Sequence, residues 1–391
     1  MPAARLARIT CLLLFTLLAA CGESGDPFGG SAGDAAAPSA ASAGNDDAGH
    51  GEQVLNVYNW SDYIGPDTIA NFERETGIKV NYDVFDSNEV LEAKLLAGHT
   101  GYDIVVPSAS FVARQIKAGL FQPLDRMQLP HYNNLDADIL HALATYDPDN
   151  VYAVPYMWGT TGIGYNVAQV TARLPGARLD TWGLLFDPDT VAKLADCGVA
   201  LLDAPSETFP AARFALGLPA SSTSVTDLGA AEAALSSIRP YVRYFHSSQY
   251  INDLANGELC VAMGWNGDVL QARARARDAA NGNDIAYVVP REGALMWFDS
   301  MVIPKDAPHP ANAHRFLDYL MRPEVIAAVS DAVHYANANA QATPLVSPAV
   351  RDDPAIYPDA QTRARLEAAA PTNPEFDRLV TRAWTRVKSG R

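Results

Sequence analysis

The chain has 391 residues, with 45 acidic against 29 basic side chains and a formal charge of −16. An acidic surface of this kind disfavours nucleic acid and mildly favours cationic ligands. The length of periodic sequence, about 340 residues from position 53 onward, is more than one core comfortably serves, so two lobes are expected.

Arg5 and Arg8 precede an apolar run from Ile9 to Ala20. The run is too short to span a bilayer and predicts an export signal over 1–20. It ends in Leu18-Ala19-Ala20-Cys21, small residues just before a cysteine. That predicts a lipobox, cut before Cys21 and lipidated there; an ordinary secretory cleavage nearby is the plainer alternative. Several acyl chains would hold the protein on a membrane surface, since one chain alone binds marginally. Gly22 leaves open which membrane that is, because it is not the aspartate associated with inner-membrane retention in some bacteria. Loss of Arg5 and Arg8 with the leader takes the formal charge from −16 to about −18. Residues 21–52 are nearly all Gly, Ala, Ser, Asp and Pro. Such a segment buries too little apolar surface to offset its ordering entropy and reads as a flexible tether.

Val54–Tyr58 reads as a strand, and Pro66-Asp67 opens a helix that stops at Gly77, with proline at the start and glycine at the end. A strand over 79–85, a helix over 88–97, a strand over 102–106 and a helix over 111–118 follow. This is a βαβαβ unit and implies a parallel sheet with right-handed crossovers. A crossing strand is expected over 151–155. A second α/β lobe follows, with strands over 162–165, 199–202 and 260–263. Strands over 285–289 and 295–303 and a helix over 311–320 come next.

Ligands of open α/β sheets bind beyond the carboxyl ends of the strands. After the first strand come Asn59, Trp60, Ser61, Asp62 and Tyr63; after the second, Asp86 and Ser87; after the third, Ser108 and Ser110. The serines and Asp62 are also good turn and cap residues, but two aromatics beside an acid are hard to explain by capping. In the second lobe Glu207, Trp265 and Asp268 follow strands, and Trp297 and Asp299 lie in a later one.

Three catalytic patterns are missing. No histidine pair has zinc-protease spacing, no serine stands in a nucleophile elbow, and the glycine stretch 159–164 lacks the Lys-Ser/Thr of a phosphate loop. No metal or cofactor is expected, and no enzyme. The Ala/Arg alternation over 272–277 reads as a solvated helix face. What remains is acidic and aromatic. A linear diamine needs acceptors for its ammonium ends, because a buried unpaired charge is costly. Its methylenes need flat apolar walls, and aromatic faces attract each ammonium by about 0.5–2 kcal/mol. Sugar carriers also stack on aromatics; the acids favour the amine. Cys197 and Cys260 fit an oxidising compartment as a disulfide, worth about 4 kcal/mol in the chain-entropy model, or as two buried thiols.

From about residue 53 onward the chain resembles the putrescine-binding proteins of bacterial polyamine ABC importers. The resemblance is carried by YNWSDYI at 58–64, YDVFDSNEVLE at 82–92, DIVVPSASF at 103–111 and PYMWGTTGIGYN at 155–166. It continues in RYFHSSQYINDLANGELCVAMGWNGD at 243–268, HYANAN at 334–339 and RAWTRVKSGR at 382–391. It implies a two-lobed type II periplasmic binding fold, each lobe a central sheet flanked by helices, with the ligand in the cleft. Lobe 1 would comprise 53–157 plus 285–322, and lobe 2 would comprise 158–284 plus 323–391. Implied ligand contacts are Trp60, Ser61, Asp62, Tyr63 and Ser108 from the first lobe and Glu207, Trp265 and Asp268 from the second. Trp297 and Asp299 come from the crossing strands, and Tyr335 completes an aromatic box. Asp268 would fix one ammonium. The resemblance also implies the Cys197–Cys260 disulfide, an inner-membrane permease and its ATPase as partners, and a periplasmic monomer anchored only through Cys21. Trp297 matches spermidine-preferring relatives, where putrescine binders often carry Phe; the small Ser61 and Ser110 favour putrescine. A broader polyamine carrier and a sensor of the same fold are the alternatives.

Overall fold

Residues 53–390 are described by the computed structural model; the expected lipidation at Cys21 and the tether lie outside them. The chain opens as expected, with β1 (Val54–Trp60), β2 (Lys79–Phe85) and β3 (Ile104–Val105) parallel and β1 in the middle. The helices between and after them span Thr68–Thr76, Asn88–Ala97 and Ala109–Lys117. Gly77 closes the first in the left-handed region, φ 75°, and its N–H returns to Glu73 O. The Ser87 side chain caps the second by accepting from the Val90 N–H. β1 runs two residues past its expected end, because Asn59 and Trp60 still pair with Val84 and Phe85. Trp60 is thus held at the very edge of the sheet.

The long strand β4 (Ala153–Asn166) replaces the two short ones expected there. Its glycines permit close approach of side chains to the strand. A Cβ on Gly159 would stand 2.7 Å from the Trp297 ring and nearer still to Asn266 Oδ1. The remaining strands are β5 (Val199–Leu201), β6 (Tyr244–Phe245), β7 (Val261–Trp265), β8 (Ile285–Val288), β9 (Ala294–Val302), β10 (Ala336–Asn337) and β11 (Leu366–Ala368). The sheet order is β2-β1-β3-β9-β4-β7-β5-β6, with β8 and β10 also on β4 and β11 on β9. Residues 153–160 of β4 pair antiparallel with β9, and residues 161–166 pair with β7 and β8. One strand therefore belongs to two half-sheets.

Each half-sheet has its own apolar core. The first gathers Leu55, Val57, Phe72, Ile104, Val302 and Phe316; the second gathers Ile163, Trp182, Val199, Phe209, Leu254 and Val261. The cores do not follow the expected division. Ile326, Val329, Val333, Val346 and Ile356 pack in the first core, although 323–391 is expected in the second lobe. Toward its end the chain joins the second core, where Phe376, Ala383, Trp384 and Val387 are buried and Leu366, Ala369, Leu379 and Val380 pack against it. Ile285, Val289 and Leu295 pack there too, although 285–322 is expected in the first. The stripe on the helix Pro323–Val333 shows that it buries a face but not which core receives it. The answer comes from β10, which pairs with Met157 and Trp158 of β4 and ties that helix to the first half-sheet.

Cys197 and Cys260 are joined in a disulfide with Cα atoms 5.4 Å apart. The bond follows from strand pairing, because Val199 of β5 lies opposite Val261 of β7 just beyond the two cysteines.

Candidate ligand-binding site

A cavity lies where the half-sheets meet, lined by strand ends and helix starts from both cores. Ten of the eleven expected ligand residues line it: Trp60, Ser61, Tyr63 and Ser108 from the first core, Glu207, Trp265 and Asp268 beside the second, and Trp297, Asp299 and Tyr335 from the crossing segments. Asp62 does not. Its backbone is left-handed, φ 54°, and its carboxylate points away to Arg275, whose Nη2 donates to Oδ1 at 2.5 Å. The pair is about one-third exposed on each side, and neither residue lines the cavity. Arg275 thus has a partner on the face that the sequence suggested was merely solvated. Ser110 lines a different cavity.

Four carboxylates line the cavity: half-buried Asp86, which accepts from Ser61 Oγ at 3.0 Å, and three that are nearly buried and held by hydroxyls. Asp299, in β9, accepts from Ser108 Oγ at 2.6 Å and from Tyr63 Oη at 3.0 Å. Ser108 is fixed in turn by Asn88, which donates from Nδ2 to Ser108 Oγ and accepts from the Ser108 N–H, both at 2.9 Å. Asp268 lies in the first turn of the helix Asn266–Asp278, accepting from Tyr250 Oη at 2.8 Å and from Tyr335 Oη at 2.7 Å. Glu207, in the first turn of the helix Pro205–Ala215, accepts from Thr161 Oγ1 at 2.6 Å. A helix N-terminus favours both of these acids as anions.

Burial works against that charge. Loss of solvation pushes Asp268, Asp299 and Glu207 each up to about 7, only partly offset by the hydroxyl bonds. The acids also raise one another: Asp268 acts on Asp299, and Asp299 on Glu207. The cavity lining contains no lysine, arginine or histidine. Its acids are thus matched by hydroxyl donors and by no positive charge, a shortage that an entering cation would correct.

Aromatic rings form the walls. Trp60 meets Trp265 edge-on at 5.4 Å, Tyr335 meets Trp297 at 5.4 Å, and Tyr335 meets Tyr63 at 5.1 Å. Trp60 is anchored by its indole N–H on Val106 O at 2.8 Å. The chemistry offered is a flat apolar slot with anionic ends, suited to a short alkyl chain bearing positive termini.

Sequence reasoning missed the supporting residues. Tyr250, Thr161 and Asn88 hold the three acidic centres but bear no motif of their own. Ser247 and Ser248 also line the cavity; two serines one residue past the end of the strand Tyr244–Phe245 are the available signal. Phe85 and Asp86 complete the wall. Among the described residues no cluster of metal-ligating side chains is present, and no helix is long and apolar enough to cross a membrane.

Residues 67–359 match the family model of bacterial extracellular solute-binding proteins. The chain belongs to the bacterial extracellular solute-binding proteins. Among the relatives of this solute-binding protein, the putrescine-binding periplasmic protein PotF of Escherichia coli is 56% identical over 342 residues, covering 87% of this chain and 92% of PotF. The putrescine-binding periplasmic protein SpuD of Pseudomonas aeruginosa is 52% identical over 340 residues, covering 87% and 93%. Among solved structures, a spermidine/putrescine ABC transporter protein from Listeria monocytogenes superposes with a TM-score of 0.78 at 33% identity, covering 87% of this chain and all of the other. The fold of this solute-binding protein is accordingly the type II periplasmic binding fold.

Proposed function

We propose that this solute-binding protein captures a linear polyamine, putrescine by preference, and delivers it to the permease and ATPase of an ABC importer. The observation that carries the reading is the cavity itself. Three buried carboxylates, each pushed up to about 7, share an aromatic-walled space whose lining has no basic side chain. Diamine ammonium groups would supply the missing charge, and the tetramethylene chain would lie against Trp60, Trp265, Trp297 and Tyr335. Relatives named as putrescine-binding support the same ligand.

The eleven residues from Trp60 to Tyr335 remain the proposed ligand set, with Asp62 acting from outside the cavity lining and Asp268 fixing one ammonium. The two half-sheets act as lobes that bend where β4 and β9 pass from one core to the other, and a ligand touching both favours the closed form. The mature protein works as a periplasmic monomer held to a membrane through Cys21 and carries out no catalysis.

Calorimetric titration of residues 53–391, refolded without carried-over ligand, tests the reading against putrescine, cadaverine, agmatine, spermidine and spermine. One-to-one binding, tightest for putrescine, is expected. Tighter spermidine binding would show that Trp297 sets the preference, and no binding to any of the five would overturn the polyamine reading.

A further inference from the structure

A second cavity, about 380 Å³, opens on the far side of the helix Pro205–Ala215 from Glu207. Ser206, Phe209, Pro210 and Arg213 line it. These positions follow the spacing i, i+3, i+4, i+7, so a single face of that helix forms one wall. Helices of the first core form the opposite wall through Glu89 and Phe111, and the C-terminal helix contributes Phe376.

Two charged side chains in this cavity are left unsatisfied. Arg213 is 3% exposed, yet its only hydrogen bond runs from Nη1 to Ala220 O at 2.8 Å, and Nε and Nη2 have no partner. Loss of solvation lowers its pKa, with only Asp227 opposing. A guanidinium does not deprotonate in proteins, so this is a buried positive charge with no direct ion pair, Asp227 acting on it only from a distance. Glu89 is the converse. One oxygen accepts from the Ser206 N–H at 3.3 Å, the other is buried without a partner, and burial raises its pKa. The other acids here are already engaged: Arg114 pairs with both Glu92 and Asp377. Glu89 sits at Ser206 near the start of the helix face and Arg213 lies seven residues further on, a rise of about 10 Å.

We propose that this cavity is a second ligand site, taking a linear zwitterion whose carboxylate pairs with Arg213 and whose ammonium pairs with Glu89. The ligand's apolar middle would lie along Phe209. The guanidinium fork matches a carboxylate in two parallel hydrogen bonds, and each end of the ligand removes one unpaired buried charge. An ω-amino acid of five or six carbons has the required form, and no residue lining this cavity lines the acidic aromatic one, although the charge of Glu89 acts on Glu207 across the helix.

The test is calorimetry on the full chain with saturating putrescine present, titrating 6-aminohexanoate, hexanoate and hexylamine separately. A crystal soaked in 6-aminohexanoate locates the ligand. The zwitterion is expected to bind one-to-one and to be found between Glu89 and Arg213. Arg213→Leu should weaken it roughly tenfold or more, and Glu89→Gln should weaken the zwitterion without weakening hexanoate. Arg213→Leu removes a buried unpaired charge, so it should fold at least as well as the parent and leave putrescine binding unchanged. Hexanoate binding as tightly as the zwitterion would overturn the role of Glu89. Absent binding, binding unaffected by Arg213→Leu, or a soaked crystal showing only water at Arg213 would overturn the site.

Discussion

Tyr335 and Asp268 exchange two hydrogen bonds: the Tyr335 hydroxyl donates to Oδ1 at 2.7 Å and accepts from the Asp268 backbone N–H at 3.1 Å. One phenol thus satisfies an orphan donor of a helix N-terminus and positions the carboxylate beside it. It also links a crossing segment of the first core to a helix of the second. Asp268→Asn should cost about 2–5 kcal/mol of diamine affinity by removing the charge an ammonium would meet. Tyr335→Phe should cost less, since Tyr250 still holds Oδ2. Titration of both variants checks the order; equal losses would contradict it.

Asp62→Asn offers the contrasting case. Its partner Arg275 lies outside the cavity lining, and a partly exposed ion pair contributes about 0–1 kcal/mol. Asn also tolerates the left-handed backbone at this position. Diamine affinity should change by less than for Asp268→Asn, and the change should shrink as salt rises. A loss matching that of Asp268→Asn would place Asp62 inside the cavity in solution.

Binding should release protons near neutrality. Asp268, Asp299 and Glu207 each stand at about 7 without a ligand, and a dication favours their ionised forms. Affinity should therefore rise with pH between about 6 and 8, and the binding enthalpy should depend on the buffer's ionisation enthalpy. Stability of the ligand-free protein follows the opposite course. Carboxylates raised above their unfolded values hold more protons folded than unfolded, so their contribution is fully present below about pH 4 and is lost as pH rises through 7. Melting temperatures at pH 5.5 and 8, with and without saturating putrescine, check this: the ligand should narrow the difference.

Gly267→Ala should damage the site without touching a charge. An added Cβ would stand 2.5 Å from the Tyr335 ring, which is itself buried between Tyr63 and Trp297. The ring must move, and its bond to Asp268 moves with it. Loss of diamine affinity with far-ultraviolet dichroism preserved is the expected result; normal affinity would mean that the ring has room to yield.

The disulfide should contribute to stability and not to recognition. It lies outside the cavity lining and closes a loop of 63 residues, for which the chain-entropy model gives about 4 kcal/mol. Paired Cys197→Ala and Cys260→Ala substitutions should lower the denaturation midpoint by a corresponding amount and leave diamine affinity unchanged. A large affinity loss would show that the strand pair β5 and β7 shifts without the bond.

By itself the sequence determined the elements and the chemistry at their ends. Periodicity and caps located the first three strands and helices, because Gly77 and Ser87 act on their own neighbours. The rule that ligands sit beyond strand ends led to Trp60, Ser108, Glu207 and Asp268. Only the tertiary structure decided how these groups face one another. Asp62 and Asp268 are both acids near a strand end, but a left-handed backbone turns one toward Arg275 while two tyrosines, 18 and 67 residues away, hold the other inward. The helix Pro323–Val333 could have packed on either core until β10 paired with β4. Local patterns record which face is apolar and which group is polar, because those depend on residues a few positions apart. Which core receives the face, and which carboxylate is desolvated, depend on partners brought together by non-local strand pairing.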